Sequence, residues 1–194
     1  IASIIGFVCY HLAPAIGPTA YFAGNGGVLH ATPELLASLP NVDFDPHHPR
    51  NSMPSLHFTW AFLVFLFTRG LPFPARAVAA TFTGLTVCAT LGFREHWFVD
   101  LVVALPLTLL VRSLCALELP LADPARRAGI VLGFAMLSLW IGLIVLGLEL
   151  NRPLILALSV VTSAVSLTFE SSLARAGRRY AVPAPSGEVA AVSA

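Results

Sequence analysis

Residues 97–117 read WFVDLVVALPLTLLVRSLCAL, an apolar run broken by only two charges, Asp100 and Arg112. A helix needs about 20 mostly apolar residues to cross the hydrocarbon core of a bilayer. This run has that length and no strand-like alternation, so Trp97–Leu117 reads as a spanning helix. Working outward from it, comparable blocks lie near Ser55–Thr68, Ala75–Phe93, Ala128–Leu148 and Pro153–Phe169. The first of these is short, and Pro54 is expected in its opening turn, where a missing N–H costs nothing. RGLPFP (69–74) and ADPARR (122–127) mark turns between helices. Ile1–Leu12 is also apolar and has neither a basic flank nor a small-residue cleavage site, so it is not a signal peptide. It reads as the end of a membrane helix in a fragment that starts upstream. The expected fold is all-α, a polytopic transmembrane bundle of about six spans with the first truncated, over residues 1–174. Residues 175–194, with their Pro, Ser and Gly, read as a disordered cytoplasmic tail.

Composition points the same way. Hydrophobic residues make up 57% of the chain and charged residues 11%, against about 25% charged in an average soluble domain. Mean hydropathy is +0.82. One soluble core could not cover that much apolar surface, whereas lipid can. The net charge of +1 gives no sign of a nucleic-acid partner, and all 11 basic residues are arginine. Cys9, Cys88 and Cys115 are far apart in apolar runs and read as small buried hydrophobes, not as a disulfide or metal framework.

Arginine placement orients the bundle. If the helices alternate, Arg69, Arg76, Arg126, Arg127, Arg175, Arg178 and Arg179 fall on one side, and Arg50, Arg94 and Arg152 on the other. The richer side is expected to be cytoplasmic. Residues 13–53 and 94–96 then face outward, and they hold nearly all the reactive groups.

Two clusters carry the chemistry. One is Arg50-Asn51-Ser52-Met53-Pro54-Ser55-Leu56-His57, and the other is Arg94-Glu95-His96-Trp97-Phe98-Val99-Asp100; each runs into an apolar helix. Ionisable residues at such places are functional hypotheses by default. His96 and Asp100 are four apart and share one helix face. A carboxylate on one imidazole nitrogen fixes the tautomer and leaves the other nitrogen free to attack. The helix opening at Ser55 offers free N–H groups to an anion, and Arg50 and Arg94 suit phosphate oxygens. The set fits phosphoryl transfer and calls for no metal or cofactor. His47 and His48 with Asp43 and Asp45 lack metal-ligand spacing and read as a solvated loop. Glu170 reads as a span boundary.

MPSLH at Met53–His57 followed by HWFVD at His96–Asp100 resembles the type 2 phosphatidic acid phosphatase superfamily. More narrowly, it is similar to the branch of inositol phosphorylceramide synthases and their bacterial relatives, the inositolphosphotransferase-like enzymes. The likeness covers roughly residues 11–106. It implies that His96 is a nucleophile forming a phosphohistidine, that Asp100 orients it, and that His57 protonates the leaving alcohol. Where the superfamily's first motif has Lys and Arg-Pro, this chain has Tyr10-His11-Leu12-Ala13-Pro14 through Gly17-Pro18 and Tyr21-Phe22. The Ser-Arg of its third motif is replaced by Ala89 and Thr90. Arg50, Ser55 and Arg94 are the expected phosphate ligands in their place. The expected activity is that of a membrane phosphoesterase or phosphotransferase on a lipid phosphoester, with a lipid, polyol or water acceptor. Its expected location is a bacterial plasma membrane, with the site facing outward. A water acceptor would make it a lipid phosphate phosphatase; a non-catalytic membrane or transport protein is the rival class.

Overall fold

The computed structural model describes residues 1–13, 15, 17–18, 52–94, 96–148 and 150–180, and among these the regular elements are helices. In chain order they are α1 (Ala2–Leu12), α2 (Leu56–Phe67, continued by a 3-10 turn at Thr68–Gly70), α3 (Phe73–Gly92), α4 (Phe98–Cys115), α5 (Pro124–Val145) and α6 (Arg152–Tyr180). Helices α3, α4, α5 and α6 are long and apolar enough to cross a membrane, whereas α1 and α2 are shorter. The chain is thus an all-helical membrane bundle; among the described residues it has four full-length helices and two shorter ones, where about six spans with the first truncated were expected.

Helix α4 is the middle of the bundle. It packs on α2, α5 and α6, and two-thirds of its length is buried, against about a tenth for α3. Val102, Val103, Leu107, Leu110 and Val111 of α4 form one core with Cys9 of α1, Leu63 of α2 and Leu137, Trp140 and Ile141 of α5. Close approach of α5 depends on two glycines one helical turn apart, Gly129 and Gly133. A Cβ on Gly133 would lie 2.8 Å from the Leu110 amide nitrogen and 3.0 Å from its Cα. Small residues four apart are the usual means of such close packing between membrane helices.

The helix ends follow their sequences. Asp123 caps α5 by accepting from the Ala125 and Arg126 amides. Buried Arg126 then folds its guanidinium onto the carbonyls of Ser113, Leu114 and Leu119, closing the C-terminal end of α4. At the other end of α5, Gly147 adopts φ 61°. Its amide donates to Ile144 and the Leu148 amide to Leu143, the Schellman pattern that wants glycine at this place.

Several expectations need correction. Pro54 precedes the N-cap Ser55, so it lies before α2 and not in its first turn. Residues 175–180, read as tail, are helical, because Leu173 and Ala176 are buried against Ala116 and Leu119. Arg178 and Arg179 also fall in the last turn, where positive charge is favoured. Of the cysteines, Cys9 is buried, Cys115 half-buried and Cys88 exposed, so the buried reading fails for Cys88.

The end of the bundle away from the two motifs holds a charged cluster. Glu170 of α6 is buried; it pairs with Arg69 at 2.6 Å and approaches Arg112 Nε at 3.8 Å. The Arg112 guanidinium lies 4.6 Å from the Phe67 ring centre. Glu170 is therefore a charge partner inside the bundle and not a span boundary.

Candidate active site

Helices α2 and α4 begin at the same end of the bundle, and their first turns touch. The Ser55 amide donates to the Asp100 carbonyl at 3.1 Å. The Ser55 hydroxyl accepts from the Phe58 amide at 3.4 Å as the N-cap of α2. Its carbonyl takes both the Thr59 amide and the Thr59 hydroxyl. Tyr10 of α1 donates its hydroxyl to the Pro54 carbonyl at 2.9 Å. Three elements thus fix the approach to His57.

His57 stands in the first turn of α2 and is exposed. His96 lies just ahead of α4 and is buried; its amide donates to the Thr90 carbonyl at 3.2 Å. The two imidazole rings are 5.9 Å apart between centroids and inclined at 64°. The sequence separates them by a whole helical hairpin, α2 to α3, and the packing of α2 on α4 reunites them.

Asp100, in the first turn of α4, is completely buried. Its Oδ2 accepts from the Trp97 amide at 2.8 Å and from the Ser52 hydroxyl. The same oxygen lies 3.4 Å from His96 Nδ1. That separation is longer than a good hydrogen bond, and among the described residues neither His96 Nδ1 nor Asp100 Oδ1 has a hydrogen-bond partner. Catalytic hydrogen bonds are often long without substrate and tighten when it binds.

Arg94 is half-buried, two residues ahead of His96, with φ 58°. Its amide donates to the Leu91 carbonyl at 3.2 Å as the chain leaves α3. A left-handed backbone costs a residue with a Cβ about 1–2 kcal/mol. Such an outlier, met beside a reactive group, points toward function. Arg50 lies outside the described residues, as do Glu95 and the run from Asp43 to His48.

Of the six expected site residues, the structure brings His57, His96 and Asp100 together and sets Arg94 on the adjoining turn. Ser55 is fully buried with its hydroxyl on the Phe58 amide, so its evident work is capping and positioning. Sequence reasoning missed two further members, Ser52 and Tyr10. Ser52 lies inside the first of the two clusters, and a hydroxyl five residues before the candidate His57 was the available signal. Tyr10 acts through a backbone carbonyl, for which the sequence carries no mark.

The model of the PAP2 superfamily matches residues 1–114, a stretch that contains α1 to α4 but for the last residue of α4. No curated protein and no solved structure matches the chain. The match takes in more than half of the sequence and both histidine motifs, and the chain is an integral membrane protein that belongs to the PAP2 superfamily.

Proposed function

We propose that the protein breaks a lipid phosphoester through a phosphohistidine on His96 and passes the phosphoryl group to water or to an alcohol. Superfamily membership supports a phosphatase-type enzyme in general. The observation that carries the finer reading is the His57–His96 pair at 5.9 Å with Asp100 3.4 Å behind His96 Nδ1.

With the proton on Nδ1 facing Asp100, the Nε2 lone pair of His96 attacks phosphorus. The bond from phosphorus to the ester oxygen breaks, and protonated His57 supplies a proton to that oxygen. In the second half, His57 takes a proton from the incoming water or alcohol. The new oxygen bonds to phosphorus while the N–P bond breaks, and His96 returns to its starting state. Little covalent work is asked of the protein beyond this, so positive charge around the equatorial oxygens matters most. Arg94, Arg50 and the free amides in the first turn of α2 are the groups proposed for it. The poorly charged outward end is the proposed location of the site, since the opposite end gathers Arg69, Arg126, Arg175, Arg178 and Arg179.

The test is turnover by the full chain in liposomes. Phosphatidic acid and phosphatidylinositol are offered with and without diacylglycerol or ceramide, and His96→Ala is run beside the unmodified protein. Phosphate released by the unmodified protein and lost in the variant marks a phosphatase. A new phospholipid formed only with acceptor marks a phosphotransferase, the outcome implied by the inositolphosphotransferase-like motifs. Equal turnover by His96→Ala would refute the mechanism.

A further inference from the structure

The family match ends at residue 114, so α5 and α6 lie outside it. These two helices nevertheless complete a cavity of about 310 Å³ whose walls include Met53, Val99, Trp140, Leu143, Ile144 and Ile155. Among the described residues, the walls carry no charged side chain. Two of them are chain neighbours of the reacting groups. Met53 follows Ser52, whose hydroxyl holds Asp100, and Val99 precedes Asp100 itself. The rest come from α5, α6 and the turn between them. Trp140 has its indole N–H committed to the Thr162 hydroxyl at 3.0 Å, so its one donor is already spoken for. The Schellman turn at Gly147 carries Leu148, half exposed, at the rim, and Ile155 is also partly exposed. On one side the wall is thus made by residues next in sequence to Ser52 and Asp100, and on the other by Leu148 and Ile155, which are partly exposed at the apolar outer surface.

We propose that this cavity receives an acyl chain of the substrate, and that the α5–α6 hairpin is the part of the molecule that selects for it. The proposal rests on the lipid phosphoester reading above. Its occupant follows from the chemistry of the walls. A free phosphate or a sugar headgroup would find no charged partner among the described wall residues, whereas a hydrocarbon chain leaves water or lipid for an apolar slot. The direction follows from Met53 and Val99, the wall residues next in sequence to Ser52 and Asp100, since a phosphoester held at His96 would lead its chain past them. A side chain from a second copy of the protein is the competing occupant.

Photocrosslinking of the unmodified full chain tests occupancy without relying on turnover. The probe is a phosphatidic acid with a diazirine on one acyl chain, in detergent, with adducts mapped by mass spectrometry. Adducts concentrated at Met53 and over residues 143–155, and suppressed by excess unlabelled long-chain phosphatidic acid, are expected. Adducts spread over the exposed face of α3 without competition, or residues 143–155 crosslinked only to another copy of the chain, would overturn the proposal. Ile155→Trp supplies the second arm by filling the slot. The preference for a long-chain over a water-soluble short-chain phosphate ester, as a ratio of kcat/KM, should fall about tenfold, the scale of methylene discrimination in an apolar pocket. Val131→Trp, on an exposed part of α5, should leave that ratio alone. An unchanged ratio in Ile155→Trp would remove the groove while leaving the histidine mechanism standing. Turnover that survives His96→Ala would remove the mechanism while the crosslinks still report on the groove.

Discussion

Asp100 serves three groups with a single oxygen: the Ser52 hydroxyl, the Trp97 amide and the ring of His96. The Trp97 amide cannot be removed by substitution, but the hydroxyl can. Ser52→Ala should leave the helices intact and free Asp100 to shift relative to His96. We expect kcat to drop about tenfold with KM nearly unchanged, since small misplacements of a catalytic group cost on this scale or more. A change confined to KM would place Ser52 on the substrate instead. This residue scale is where the sequence was both most and least informative. The spacing of His96 and Asp100 suggested that they lie close, but His96 precedes the N-cap Trp97, so they do not share a helix face as expected, and the two approach to 3.4 Å across the start of α4. The partners of Asp100 from other segments needed the fold, because they depend on how the chain before α2 lies across the first turn of α4.

Among the elements, α4 and α5 lie closest, and the contact is set by a missing side chain. Gly133→Ala should lower stability by about 1–3 kcal/mol, the usual cost of overpacking, because the added carbon meets the backbone of Leu110. Gly142→Ala, where no atom lies within 4 Å of the added carbon, should be neutral or stabilising. Thermal unfolding of the two variants in one detergent separates them, and equal midpoints would refute the close-contact account. A second element-scale test concerns α6. Glu170→Ala leaves Arg112, half-buried, and Arg69, partly exposed, without their carboxylate, and the loss should be about 1–3 kcal/mol, between the values for surface and fully buried pairs. A loss below about 1 kcal/mol would mean that water already screens the cluster. The helices themselves were legible, since long apolar blocks and Pro-bearing turns suffice for that. Their ends were less so. Pro54 fell outside α2 because Ser55 takes the cap, and α6 outran its apolar block because Leu173 and Ala176 are buried beyond it. Gly129 and Gly133 stood in plain sight at a spacing of four and went unread.

For the whole molecule, function depends on which end meets which compartment. In a chain with Cys9, Cys88 and Cys115 replaced, Asn151→Cys between α5 and α6 should react with a membrane-impermeant maleimide added to intact cells. Leu121→Cys, in the turn between α4 and α5, should react only after permeabilisation. The reverse pattern would place the histidines on the cytoplasmic side and overturn the arginine argument. The number of full-length helices was less legible than their existence, because apolarity locates a helix but its caps decide its length. That bears on α2. Its twelve residues and the 3-10 turn that follows rise about 24 Å, short of the roughly 30 Å of hydrocarbon in a typical bilayer. With its Arg69 end held at one interface, the end bearing His57 stops within the opposite leaflet or draws that leaflet inward. In the proposed reading the phosphoester is then met at the depth where lipids keep it, and it has no need to rise into bulk water. The concentration that governs the rate becomes a surface fraction. Inert lipid added at constant total substrate would slow the enzyme simply by spreading its substrate across a wider plane.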